Sequence, residues 1–169
     1  MRRVAAGDPG AFTALYERHK GRLFSYLVRL TGNRHIAEDL LQETWLRVYR
    51  ARGSYQPSGR FQTWLFTIAR RLLLDHARRA PGAWESDTEA TEALSAPERT
   101  EHGAEAKDLL LRVERALSAL PPGQREVVLL ARFAGLTAEE VATVTGSTPG
   151  AIRVALHRAL QRLRTLIGQ

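Results

Sequence analysis

Residues 137–164 read TAEEVATVTGSTPGAIRVALHRALQRLR. Thr137 followed three residues later by Glu140 is a capping box, in which hydroxyl and carboxylate satisfy amides that no preceding helical turn can satisfy. A short helix then carries Val141 and Ala142 inward and stops at Gly146, where the turn needs a residue tolerant of positive φ. Thr148-Pro149 opens a second helix, with a capping hydroxyl and then a proline where its missing N–H is harmless. Ile152, Leu156, Leu160 and Leu163 recur at helical spacing and form its apolar side. Ala142 is small where the two helices cross closely. A short capped helix, a glycine turn and a longer helix together outline a helix-turn-helix.

The charge follows this geometry. No acidic residue follows Glu140, and the last helix carries Arg153, Arg158, Arg162 and Arg164. Arg153, His157, Gln161 and Arg164 lie three or four apart, opposite the leucines. A recognition helix reads duplex DNA with its N-terminal part, so Gly150, Ala151, Arg153, Val154 and His157 are the candidate base readers. Arg158 and Arg162 lie toward the flanking phosphates, Gln161 extends the face, and Thr148 marks a helix N-terminus that favours a phosphate.

Working upstream, Leu109, Leu110, Val113, Leu117 and Leu120 predict a helix that stops at Pro121-Pro122, and a second is expected over 124–134, closing at Gly135. At the other end, Asp8-Pro9 predicts a helix start and Gly32 its stop, with Phe12, Leu15, Tyr16, Leu23, Leu27 and Leu30 inward. A further helix carries Ile36, Leu40, Leu41, Trp45, Val48 and Tyr49. After a loop at 53–59, another carries Phe61, Trp64, Leu65, Ile68, Leu72 and Leu73 and ends before Pro81-Gly82. Nothing alternates as a strand would. The expectation is an all-α chain of two small helical domains, 1–80 and 108–169, joined by an acidic linker at 81–107 that lacks periodicity.

The chain has 169 residues, a formal charge of +7, no cysteine and 44% hydrophobic residues. The hydrophobic fraction suffices for a core. Lack of cysteine excludes a disulfide scaffold, a thiolate zinc site and a cysteine nucleophile, and fits a reducing cytoplasm. No apolar run approaches the ~20 residues of a membrane span, and no apolar core of a signal peptide follows the basic N-terminus, so no membrane insertion is expected. The net charge divides unevenly: +9 over 1–80, −6 over 81–108 and +4 over 109–169. Of the 25 basic residues, 23 are arginine, whose planar donor fork suits phosphates and base edges. Twenty-four alanines accompany them, so composition alone fits two readings equally: a polyanionic partner, or a GC-rich genome that places arginine on ordinary solvated faces.

Two features of the basic N-terminal block stand out. Glu38, Asp39, Gln42 and Glu43 form a polar patch that DNA would repel, which points to a protein partner. From Phe61 to Arg79, aromatics and arginines interleave, as binding of single strands through stacking and backbone charge requires. Phe61, Trp64, Leu65 and Ile68 share one face, so Trp64 reads first as core, while Tyr55 and Phe66 are freer. His35, Asp39 and Glu43, with His76, have the spacing of a partial metal site, but no nucleophile or phosphate loop accompanies them; no metal, cofactor or enzyme activity is expected.

In order and spacing, AFTALYERH, AEDLLQETWLRVYR, FQTWLFTIAR with LLDHARR, ALSALPPGQREVVLL and the terminal LHRALQRLR resemble the extracytoplasmic-function group of the sigma-70 family. The resemblance spans nearly the whole chain apart from the linker. It implies a non-enzymatic bacterial cytoplasmic factor that binds core RNA polymerase at its largest-subunit clamp and flap, carries it to promoter DNA, and is held in check by an anti-sigma factor. Asp39, Gln42, Glu43 and Leu46 match the clamp-binding motif. Tyr55, Phe61, Gln62, Trp64, Phe66, Arg70, Arg71, His76, Arg78 and Arg79 fall in the part that captures the melted −10 strand. Thr148 to Arg162 of the helix-turn-helix would read the −35 element. Arg71 stands where the family usually has asparagine, and Ala155 where it often has a second arginine. The rival reading is a stand-alone helix-turn-helix regulator with an N-terminal dimerisation or sensor domain.

Overall fold

The computed structural model describes residues 1–56, 59–79 and 101–168, and among them the only regular structure is helical. A short α1 (Arg2–Ala5) leads into α2 (Pro9–Thr31), α3 (Arg34–Arg50) and a 3₁₀ turn over Ala51–Gly53. After the loop comes α4 (Phe61–Arg79), then α5 (Glu101–Ser118), α6 (Pro122–Val128) with a π-helical turn over Leu129–Phe133, α7 (Ala138–Thr145) and α8 (Pro149–Ile167).

The boundaries have local causes. Asp8 Oδ1 accepts from the Ala11 N–H at 3.1 Å, and Pro9 occupies the first helical position of α2. Gly32, at φ 64°, ends that helix in the left-handed region, which glycine enters without a side-chain clash. Asn33 Oδ1 then caps α3 by accepting from the Ile36 N–H at 3.1 Å. The expected linker falls mostly on residues outside those described. Its last residues differ from expectation, because α5 already begins at Glu101. Glu, Ala and Lys are strong helix formers, but they carry no apolar periodicity to announce a helix.

The packing of the two halves was not legible in the sequence. Leu23, Tyr26 and Leu27 of α2 and Leu65, Phe66 and Ala69 of α4 join Leu129, Leu130, Ala134, Leu136 and Val141 in one hydrophobic core. A second, smaller cluster of Ala116, Leu117, Leu120, Val128, Ala159 and Leu163 ties α5 and α6 to α8. Leu129 and Leu130 have no exposed surface. Each such burial contributes roughly 1.5–3 kcal/mol relative to exposure. An apolar stripe records that a helix face is covered but not by which neighbour, so the shared core reads like two separate ones.

Candidate nucleic-acid interface

The helix-turn-helix forms as its caps require. The Glu140 N–H donates to Thr137 Oγ1 at 3.2 Å, and the Thr137 N–H donates to Glu140 Oε2 at 2.8 Å. Gly146 adopts φ 70°, and Thr148 Oγ1 accepts from the Ala151 N–H at 3.2 Å. Ile152 is 3% exposed and seats α8 on the core; Val154, two residues on, is 51% exposed. Thr148, Gly150, Ala151, Arg153, Val154, His157, Arg158, Gln161 and Arg162 are all exposed along α8. Arg153 pairs with Glu139 across the turn. Both side chains are about three-fifths exposed, and a pair so open to water holds its partners weakly.

On α3, Asp39, Gln42 and Leu46 are exposed and Glu43 is partly so. Glu43 Oε1 accepts from Arg47 Nε at 3.0 Å and Glu38 Oε1 from Arg34 Nε at 2.9 Å, both between successive turns of the helix. Beside this row lies a groove of about 480 Å³, walled by Phe12, Tyr16, Leu41, Trp45, Leu46 and Tyr49. Tyr16 and Phe12 pack edge-on against Trp45, with ring centroids 5.1 and 5.8 Å away. Leu46 and Tyr49 are exposed at the mouth of this groove. The polar row thus runs beside an apolar trough, a combination suited to a protein partner rather than to DNA.

The third set is divided by the structure. Tyr55, Phe61 and Trp64 form an aromatic group, with Tyr55 4.8 Å from Trp64 and 6.3 Å from Phe61 between centroids. Tyr55 and Trp64 border a cleft of about 380 Å³ with Arg60 and Thr63, whose far wall is Glu139, Glu140 and Thr143 of α7. Thr63 Oγ1 is buried without a partner. Phe66 corrects the expectation of a free ring: it has no exposed surface and packs edge-on against Tyr26 at 5.2 Å. Gln62 is also buried, and its amide donates to the Ala134 carbonyl. Arg70 is partly buried and its Nε donates to Glu126 Oε1 at 2.8 Å. Arg71, Arg78 and Arg79 are exposed, Arg78 pairing with Asp75.

His76 lies elsewhere. With Arg79 it lines a cavity of about 240 Å³ together with Asp39, Glu43 and Asp75, so the end of α4 faces the polar row of α3 rather than the aromatic cleft. Among the described residues, no three His, Asp or Glu side chains stand close enough to hold a metal ion. Arg60 was missed in the sequence, although a cation immediately before Phe61 at the loop's end was its signal. Nearby, burial holds the His19 imidazole below its ordinary value, and Arg18, Arg22 and Arg60 push it further down.

These features define a helical protein with a helix-turn-helix in its C-terminal half and a separate face on which a polar row borders an apolar groove. Residues 15–81 match the family description "Sigma-70 region 2" and residues 110–163 match "Sigma-70, region 4". The chain is 37% identical over 172 residues to RNA polymerase sigma factor CarQ of Myxococcus xanthus, covering all of this chain and 96% of that protein. It is 40% identical over 156 residues to the ECF RNA polymerase sigma factor ShbA of Streptomyces griseus, covering 86% of this chain and 79% of that one. Its fold is similar to CnrH in complex with the cytosolic domain of CnrY, with a TM-score of 0.73 and 24% identity, over 98% of this chain and 93% of that one. A similar fold, at TM-score 0.71 and 23% identity, is the sigma factor RpoE of Bartonella quintana in complex with the anti-sigma factor NepR, over 94% of this chain and 97% of that one. The chain belongs to the extracytoplasmic-function group of the sigma-70 family of RNA polymerase sigma factors.

Proposed function

We propose that this sigma factor divides its work among three surfaces. The α3 row of Asp39, Gln42, Glu43 and Leu46, with the apolar groove beside it, docks on the clamp of core polymerase. The loop after α3 and the start of α4 capture the melted −10 strand, with Tyr55, Phe61 and Trp64 stacking on bases and Arg60, Arg70 and Arg71 meeting backbone phosphates. Extruding a base costs a few kcal/mol, which stacking and charge offset. The exposed face of α8 lies in the major groove of the −35 element. The protein is non-catalytic, works in the bacterial cytoplasm where core polymerase resides, and is restrained by an anti-sigma partner of the kind named for the RpoE complex.

One observation carries the reading: the row on α3 is the acidic face of an otherwise basic domain, next to an exposed Leu46 and an apolar groove. The stand-alone regulator has no use for such a row. Its test is Asp39→Lys and Glu43→Lys. Each change should weaken core-polymerase association roughly tenfold or more, as charge reversal at a docked face does, and leave helicity unchanged. Promoter-specific transcription that survives both substitutions would remove the clamp assignment.

A further inference from the structure

The structure takes His76 out of the −10 surface and sets it against the polar row of α3. Both helices line the cavity of about 240 Å³ that holds it. The charged groups around His76 there are Asp39, Glu43 and Arg47 from α3, and Asp75 and Arg79 from α4. Leu40 and Leu72, both buried, also line the cavity, so charges inside it interact more strongly than they would in open water. The His76 side chain is half-buried, and its Nε2 is buried without a hydrogen-bond partner. Glu43 Oε1 accepts from Arg47 Nε at 3.0 Å, and Asp75 pairs with Arg78. The ion pairs of α3 among the described residues are Arg34–Glu38 and Arg47–Glu43, and neither involves Asp39.

A neutral imidazole has one donor and one acceptor nitrogen, whereas an imidazolium has two donors. A buried donor left without an acceptor is costly. Protonation of His76 therefore calls for a carboxylate at Nε2, and the cavity offers Asp39, Glu43 and Asp75. Asp39 and Glu43 belong to the row assigned above to the clamp of core polymerase. We propose that His76 is a positioning residue for polymerase docking. In its neutral form it leaves the Asp39 and Glu43 carboxylates on the outer face of α3; in its protonated form it draws them into the cavity, away from the partner. Histidine is the side chain whose charge ordinarily changes between pH 5 and 8, so docking weakens as the pH falls through that range. The free chain, with its internal ion pair, holds a proton that the docked chain releases, so acid favours the free form. Arg47 and Arg79 oppose the imidazolium, but three carboxylates against two guanidiniums leave the cavity one negative charge in favour of the proton. The inference rests on the clamp assignment made above.

The test measures association of the full chain with core polymerase by surface plasmon resonance, at constant ionic strength, across the histidine range from about pH 8 down to about pH 5.5. His76→Gln keeps a hydrogen-bonding side chain that does not titrate, and His76→Lys carries a permanent charge. His35→Gln removes an exposed histidine one turn before Asp39 on α3 and is the control for titration at the surface. Parent association should weaken about three- to tenfold between the two ends of the range, as loss of charge at a docked face does. His35→Gln should follow the parent, His76→Gln should lose the pH dependence, and His76→Lys should bind as weakly at high pH as the parent does at low pH. Ratios to the parent at each pH remove titration of the polymerase's own groups. If the His76 variants fail to reach native helicity by circular dichroism, the ring resonance of His76 in the free parent carries the test. Its titration midpoint should fall when Asp39→Asn and Glu43→Gln are combined, and an unchanged midpoint overturns the proposal. A His76→Gln profile parallel to the parent, or a pH dependence abolished by His35→Gln, overturns it as well. Asp39→Lys keeps the two levels apart. If association persists in that variant, the clamp assignment fails and takes this proposal with it; if association is lost while His76→Gln still titrates like the parent, only the role of His76 is wrong.

Discussion

Tyr26 has no exposed surface and donates its phenol hydrogen to Glu126 Oε1 at 3.0 Å. Burial pushes the phenol well above its ordinary value, and the Glu126 carboxylate beside it adds to the shift. The unfolded chain releases this proton near pH ~10, whereas the fold retains it. A raised folded value means that the stabilisation is complete below the unfolded value and is lost as pH rises beyond it. The urea midpoint should therefore fall above pH ~10 more steeply in the parent than in Tyr26→Phe, which has no proton to release. At neutral pH the same substitution should cost about 1.5–3 kcal/mol, the range for a hydrogen bond to a charged group. Parallel pH profiles for the two proteins would show that the phenol titrates as freely folded as unfolded. The same neighbourhood explains why Phe66 and Gln62 were misplaced in the sequence. Both lie on the side of α4 that the C-terminal half covers, and a one-helix pattern contains no trace of a cover supplied 72 residues later.

At the scale of single elements, the helix-turn-helix offers two glycines with opposite expectations. Gly146 ends α7 at φ 70°, and a Cβ there would meet no atom within 4 Å, so the only obstacle to a side chain is backbone strain. Gly146→Ala should lower stability by about 1–2 kcal/mol. Gly150 lies in the first turn of α8, is exposed, has ordinary φ, and also has open space around its Cα. Gly150→Ala should raise stability by about 0.5–1 kcal/mol through the helix preference of alanine. Urea unfolding of both variants gives the two signs, and equal signs would mean that the turn, not the residue, sets the conformation. This element was fully legible because every determinant is local: Thr137, Glu140, Gly146, Thr148 and Pro149 act within four residues of where they stand. The −10 surface was legible only as a list. Phe61 and Trp64 share a face as their spacing suggested and Tyr55 packs onto both, which the sequence did not indicate, while His76 joins α3 and Arg70 is taken by Glu126, because those fates depend on neighbours far away in sequence.

For the molecule as a whole, a shared core has a consequence that two tethered domains would not. Leu130 belongs to the C-terminal half, yet it is buried in the cluster that also holds Trp45, Leu65 and Phe66. Trp45 and Trp64 report on the N-terminal half, while circular dichroism reports on every helix. If the halves unfold together, the fluorescence and dichroism transitions in urea coincide. Leu130→Ala should then move both midpoints down by the same amount, equivalent to about 2–5 kcal/mol for a buried leucine reduced to a methyl group. If the halves were independent, the substitution would leave the tryptophan transition in place and split the dichroism curve in two. The same pair of curves gives a bound on how firmly the domains are closed. The N-terminal half can gain stability from its neighbour only up to the free energy of closing, so the coupling seen by Trp45 measures how strongly the two halves hold one another.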